Sequence, residues 1–152
     1  MNELSHVAFI MDGNGRWGIK RNKTRNFGHL QGVKTVQKTV QASIQLKIPI
    51  ITFFVFSTEN WKRPKTEINF FLKLIKSYFK KEIKNIMQNN IKINIIGDKK
   101  KLPLEIKKIL KKVENDTKSN KKLIINLALN YGSKNEIKNA FMRILDQKLK
   151  IT

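Results

Sequence analysis

The sequence predicts an α/β fold, with a mostly parallel sheet covered by helices on both faces in three α/β/α layers. Two observations carry this. Compact apolar runs of strand length alternate with longer stretches whose apolar residues recur every three or four positions, and no repeat, linker or low-complexity block interrupts the alternation. At 152 residues and 40% hydrophobic composition, the chain is long and apolar enough to bury one core, so 1–152 reads as a single domain.

The first strand is read at His6 to Met11, where an apolar run ends against Asp12. A helix follows from His29 to Gln45, with Leu30, Val33, Val36, Val40 and Ile44 on one stripe. Ile50 to Phe56 is the second strand. Thr66 to Met87 is the next helix; Pro64 discourages an earlier start, Thr66 suits the N-cap, and Ile68, Phe71, Leu72, Ile75, Phe79, Ile83 and Ile86 form its stripe. Ile91 to Ile96 is the third strand, and Pro103 suits the first turn of a helix running to about Lys118. Leu123 to Leu129 is the fourth strand, and a last helix spans Asn135 to Leu149.

In parallel sheets ligands bind beyond the carboxyl ends of the strands. That rule puts four segments on one rim: Asp12-Gly13-Asn14-Gly15-Arg16, Ser57-Thr58-Glu59-Asn60-Trp61, Gly97-Asp98 and Asn130-Tyr131-Gly132. A formal charge of +21 means the surface attracts a polyanion, whether nucleic acid, anionic lipid or a phosphorylated small molecule. A codon bias toward AT-rich DNA would also enrich Lys, Asn and Ile, so charge outside the motifs decides little.

Gly13, Gly15 and Gly18 satisfy G-x-G-x-x-G, but two features oppose a dinucleotide site. No acid lies between Asp12 and Glu59 to take a ribose hydroxyl, and the loop is expected to run on through Arg25 before a helix begins. Gly18 is followed by Ile19, not the lysine of a Walker A loop. The acid-free stretch instead carries Arg16, Lys20, Arg21, Lys23, Arg25 and His29 beside glycine-freed amides, which are the means of holding a diphosphate. Among those cations Asp12 can hold Mg²⁺, which bridges phosphate oxygens and keeps several waters. Bland readings stand beside each piece. Asp12-Gly13 can be an ordinary turn, Arg16 and Arg25 solvated charges, Trp17 and Trp61 core, and His29 a satisfied hydrogen-bonding residue.

Taken together, Asp12-Gly13-Asn14-Gly15-Arg16-Trp17, Phe27-Gly28-His29 and Phe56-Ser57-Thr58-Glu59-Asn60-Trp61-Lys62-Arg63-Pro64 closely resemble the cis-prenyltransferases, the undecaprenyl diphosphate synthase family. Ile96-Gly97-Asp98 and Leu127-Ala128-Leu129-Asn130-Tyr131-Gly132 continue the pattern in order and spacing, so the resemblance covers nearly the whole chain. It implies the fold of that family and a Mg²⁺-dependent transferase. That reaction adds isopentenyl diphosphate to an allylic diphosphate such as farnesyl diphosphate, making Z-polyprenyl diphosphates for a cell-wall lipid carrier. By the same resemblance Asp12 is the metal ligand and a catalytic residue, Gly13, Asn14, Gly15, Arg16, Arg25 and His29 cradle the allylic diphosphate, and Trp17 is a further substrate-binding residue. Ser57, Thr58, Glu59, Trp61 and Arg63 match further substrate contacts, and Asn60 matches a residue tied to proton removal. A neutral amide is a poor base, so Asn60 is expected to orient the proton acceptor instead. Helix 66 to 87 resembles the wall of the family's hydrocarbon tunnel through Phe70, Phe71, Leu74, Ile75, Tyr78 and Phe79. The family is homodimeric and meets the membrane through its lipid product.

Two departures qualify the match. The family pattern continues past the position of Thr152 with an Arg-rich, Gly-Glu-containing motif and an Arg-x-Ser-Asn run for isopentenyl diphosphate, a further acidic metal ligand, and much of the dimer interface. None of these occurs within this sequence, and Gly132-Ser133-Lys134 stands where Gly-Gly-Arg is usual. The expectation is therefore an intact allylic half-site with little elongation by this chain alone, an exposed apolar edge, and self-association. Without apolar runs of membrane length or a basic leader, the protein is expected in the cytoplasm, at most peripheral to the membrane. Zero cysteines exclude disulfides and thiolate metal sites. Two other readings are weaker. A nucleic-acid binder rests on charge alone, so no nucleic-acid partner is expected, and a non-catalytic partner subunit is opposed by the retained Asp12.

Overall fold

The computed structural model describes residues 4–146. Its element order is β1 (His6–Ile10), α1 (Asn14–Ile19), α2 (Arg25–Gln45), β2 (Ile50–Ser57), a 3₁₀ turn (Thr58–Lys62), α3 (Lys65–Gln88), β3 (Ile91–Ile96), α4 (Leu104–Thr117), β4 (Leu123–Tyr131) and α5 (Ser133–Asp146). The strands form one parallel sheet in the order β1-β2-β4-β3. The α/β class and the parallel sheet are as expected. The last residues assigned to the final helix, 147–149, lie outside the described residues.

The largest local departure is at the start. The predicted loop from Gly13 to Arg25 contains α1, and α2 opens at Arg25, four residues ahead of the predicted His29. Neither helix start has apolar periodicity to betray it. α1 reads Asn-Gly-Arg-Trp-Gly-Ile, and α2 is opened by Thr24, whose Oγ1 accepts the Phe27 N–H at 3.1 Å. One ground against the dinucleotide reading therefore fails, because a helix does follow Gly13 directly; the missing acid remains. α3 begins at Lys65 rather than after a Thr66 cap, since the Pro64 carbonyl already accepts from the Glu67 and Ile68 N–H groups.

Ile51, Phe53, Ile93, Ile95, Leu123 and Ile125 project from one sheet face and are buried against Leu72, Phe79 and Ile86 of α3 and Leu110 and Val113 of α4. Each such side chain contributes roughly 1.5–3 kcal/mol on burial. α4 also caps the free edge of β3. Thr117 Oγ1 accepts the Ile93 N–H at 3.1 Å and donates to the Val113 carbonyl at 2.8 Å, while Glu114 Oε1 accepts the Ile95 N–H at 2.9 Å. An unpaired strand edge is thereby satisfied by side chains. Thr117→Val, similar in shape, strands the buried Ile93 N–H and is expected to cost about 1–3 kcal/mol in chemical denaturation, with an unchanged m-value.

The helical cover is uneven. Thr52, Asn94 and Asn126, in register on the opposite sheet face, are only half-buried and form a polar row. Asn94 Nδ2 donates to Asn126 Oδ1 and Asn126 Nδ2 to Thr52 Oγ1, both at 3.1 Å, with His6 Nε2 2.8 Å from Thr52 Oγ1. Beside this row Ile10 is 78% exposed. α5 contains no buried residue, and its Ile137 is 70% exposed alongside the exposed Phe141 and Leu145. The predicted exposed apolar surface is present at these places.

Candidate functional site

Two close approaches build the first wall. Gly13 takes φ +84°, a left-handed conformation open to glycine, and lets β1 turn at once into α1. α1 then lies against α2 with no room for a side chain at Gly28, where a Cβ would stand 1.9 Å from the Asn14 carbonyl oxygen. This packing brings Asp12, Asn14 and Arg16 beside Arg25 and His29.

The second wall is tied together by Asn130, which is 2% exposed. Its Oδ1 accepts the Trp61 indole N–H at 2.7 Å, and its Nδ2 donates to the Asp98 carbonyl at 2.6 Å, linking the exits of β2, β3 and β4. Asn60 Oδ1 accepts the Ser57 N–H at 3.1 Å, which fixes its carboxamide in the 3₁₀ turn. α5 comes close because Gly132 leaves space for Thr58; a Cβ there would sit 2.5 Å from Thr58 Oγ1.

Between the walls lies a cavity of about 820 Å³. It is lined by Asp12, Gly13, Asn14, Gly15, Arg16, Arg25 and His29, by Ser57, Thr58, Glu59, Asn60 and Arg63, and by Asp98, Lys101, Lys134 and Lys138. Val33, Val36, Val55, Phe71 and Leu74 line both this cavity and an adjoining apolar cleft of about 90 Å³ that continues along Ile75, Tyr78 and Phe79. A cationic mouth thus runs into a hydrocarbon-lined slot. Phe70 of the predicted tunnel wall lines neither.

Trp17 and Trp61 do not line the cavity. Trp17 stacks on Phe27 with centroids 6.2 Å apart, and the Arg21 guanidinium lies 4.1 Å from its ring centroid. Trp61 packs edge-on against Phe56 and serves the Asn130 link. For these two, packing and hydrogen bonding account for the residue.

The residue that the sequence reading missed is Glu67. Its side chain is 10% exposed, and its carboxylate accepts from Arg25 Nε at 3.0 Å and Nη2 at 3.3 Å, lies 3.2 Å from His29 Nε2, and accepts from Arg63 Nη1 at 3.2 Å. Burial works to raise its pKa, but the hydrogen bonds and charges of these neighbours prevail and hold it below the usual carboxylate range. A depressed folded pKa stabilises fully above the ordinary value near 4.5 and is lost as pH falls through the folded value. Thermal melts are accordingly expected to show stability falling below about pH 4.5, with that component absent in Glu67→Gln.

Asp12 is 65% exposed; its Oδ1 accepts the Gly13 N–H at 2.5 Å and its Oδ2 lies 3.2 Å from Arg16 Nη2. Among the described residues no cluster of three or more His, Asp or Glu could hold a metal by itself. An accessible lone carboxylate fits Mg²⁺ where phosphate oxygens and water complete the shell.

Fold and site together define a parallel α/β protein with a cationic rim opening on an apolar slot. The profile of the prenyltransferase family described as undecaprenyl diphosphate synthase matches residues 10–152, and the chain belongs to that family. It is 44% identical to the isoprenyl transferase of Fusobacterium nucleatum over 152 residues, which is 99% of this chain and 66% of that protein. Against the Helicobacter pylori isoprenyl transferase it is 45% identical, covering 95% of this chain and 62% of the relative. The chain therefore spans just under two thirds of the length of these curated relatives. A Campylobacter jejuni structure described as a probable undecaprenyl diphosphate synthase superposes with TM-score 0.79 at 36% identity, covering 100% of this chain and 66% of the other. Lavandulyl diphosphate synthase from Lavandula x intermedia, solved with dimethylallyl diphosphate, superposes with TM-score 0.89 at 29% identity, covering 94% and 61%. No helix among the described residues is long and apolar enough to cross a membrane.

Proposed function

We propose that the chain acts as a cis-prenyltransferase, condensing isopentenyl diphosphate with an allylic diphosphate of the farnesyl type to give a Z-polyprenyl diphosphate for a cell-wall lipid carrier. The observation that carries this reading is the continuity of a cavity bearing Asp12, Arg16, Arg25, His29 and Arg63 with an apolar cleft. A prenyl diphosphate has that same division between a charged head and a hydrocarbon tail.

Breaking the allylic carbon–oxygen bond builds negative charge on the departing diphosphate, where preorganised guanidinium groups and amides are most effective. Arg16, Arg25 and Arg63 would hold those oxygens, and the turn at Gly13 would bring backbone amides to them. Mg²⁺, held by Asp12 together with the diphosphate, would supply further charge neutralisation. The proton lost after the new carbon–carbon bond forms would go to a water or phosphate oxygen aligned by Asn60, whose carboxamide is fixed by Ser57. Isoprenoid diphosphates, not nucleic acid, are the polyanions this cationic rim serves. The location we infer is cytoplasmic and peripheral to the membrane that receives the product, with a second copy of the chain as the partner for the exposed stripe of α5.

A second reading is favoured by the cavity wall, where Asp12, Arg16, Arg25 and His29 all match positions for the allylic diphosphate: these residues bind that diphosphate, and elongation needs a partner. Incubation with Mg²⁺, farnesyl diphosphate and labelled isopentenyl diphosphate, paired with calorimetry, separates the cases. Long labelled products support the full reaction, while binding without products supports partner dependence. Absence of metal-dependent binding of farnesyl diphosphate removes both.

A further inference from the structure

We propose that Glu67 is the positioning residue of the diphosphate site, a buried anion that aims the cations of two separate elements into the cavity. The inference rests on the diphosphate reading above and assigns a role to a residue outside the motif positions that suggested it. Arg25 and His29 come from α2, Arg63 from the segment before α3, and all three converge on one carboxylate within 3.3 Å.

Three features distinguish this cluster from an ordinary structural ion pair. The charges do not balance, because two guanidinium groups against one carboxylate leave at least one surplus positive charge on a wall that faces the cavity. A closed structural pair has no use for the second arginine, whereas a site awaiting an anion does. Each arginine also keeps donors free. Glu67 engages Nε and Nη2 of Arg25 and Nη1 of Arg63, leaving Nη1 of the first and Nη2 of the second for a ligand. Finally, Gly15 leaves the room that Arg25 occupies, since a Cβ there would stand 3.1 Å from its Cζ. The two-point hold by Glu67 orients the guanidinium plane before any ligand arrives, and preorganisation of this kind lowers the entropic cost of binding. Glu67 touches no substrate in this account; it acts through the groups it holds.

Calorimetric titration of the full chain with inorganic pyrophosphate and Mg²⁺ tests the inference, with Glu67→Gln compared in two backgrounds. In the otherwise native protein Glu67→Gln is expected to weaken pyrophosphate binding by about tenfold or more, since the amide offers one acceptor and sets its own N–H donors against the arginines. In a background of Arg25→Ala with Arg63→Ala the same change is expected to have a much smaller effect, because both guanidinium groups it aims are gone and only His29 remains. An undiminished loss in that background shows general damage to the fold and overturns the proposal, as does native affinity in the single variant. If Glu67→Gln does not fold, Glu67→Asp, which keeps the charge on a shorter arm, carries the same two-background comparison with the same decisive outcomes. Native protein that fails to bind pyrophosphate counts against the diphosphate site itself, and against this inference with it.

Discussion

Asp12→Ala is expected to reduce prenyl transfer by roughly 10²–10³-fold, the scale for removing one preorganised group at a site of developing charge. It should do so without destabilising the protein. Asp12 is exposed and its pairing with Arg16 is a surface contact between residues four apart, worth about 1 kcal/mol at most. Steady-state rates with farnesyl and isopentenyl diphosphate, set beside denaturant midpoints, check both halves. If the full chain proves dependent on a partner, Mg²⁺-dependent farnesyl diphosphate binding takes the place of rate, with loss of the metal dependence as the expected result. A variant as active as the native protein would show that this carboxylate is only a turn residue.

Gly28→Ala is expected to be strongly destabilising. The new Cβ would fall 1.9 Å from the Asn14 carbonyl oxygen and 3.3 Å from Gly15 Cα, and these are backbone atoms that no rotamer change can move away. Overpacking of this kind costs about 3 kcal/mol, the upper part of the usual range. The expected outcome is a lowered denaturation midpoint together with loss of ligand binding, because α1 can escape the clash only by lifting from α2 and carrying Asp12 and Arg16 with it. The exposed neighbour Asn26 provides the control, and Asn26→Ala should change stability by less than about 0.5 kcal/mol.

The parts of the molecule legible in the sequence are those where a single local signal dominates. β3 falls on Ile91–Ile96 as read, because an uninterrupted apolar run in a buried parallel strand has little else to become. α3 and α4 are off by a residue or so at their starts, for their stripes are strong and proline fixes where each begins. α1 was invisible because two glycines and an asparagine in six residues deny it both propensity and periodicity; it is held by close contact with α2 instead. Most of the site followed from which segments leave the strand ends. The tryptophans did not, since an indole beside a motif looks the same whether it faces ligand or neighbour. Glu67 was hidden for a different reason. A glutamate in the first turn of a helix ordinarily complements the helix dipole, and the partner that buries it, Arg25, is 42 positions away.

The two sides of the cavity differ in how firmly they are built. One is clamped by backbone contacts at Gly28 and by the charges around Glu67, while the other hangs partly on α5, which contributes Lys134 and Lys138 to the lining yet sinks no side chain into the core. The molecule is thus a vice with one jaw welded to the bench and one on a loose screw. A guest held against the firm jaw would face an opposite wall whose displacement costs the core little.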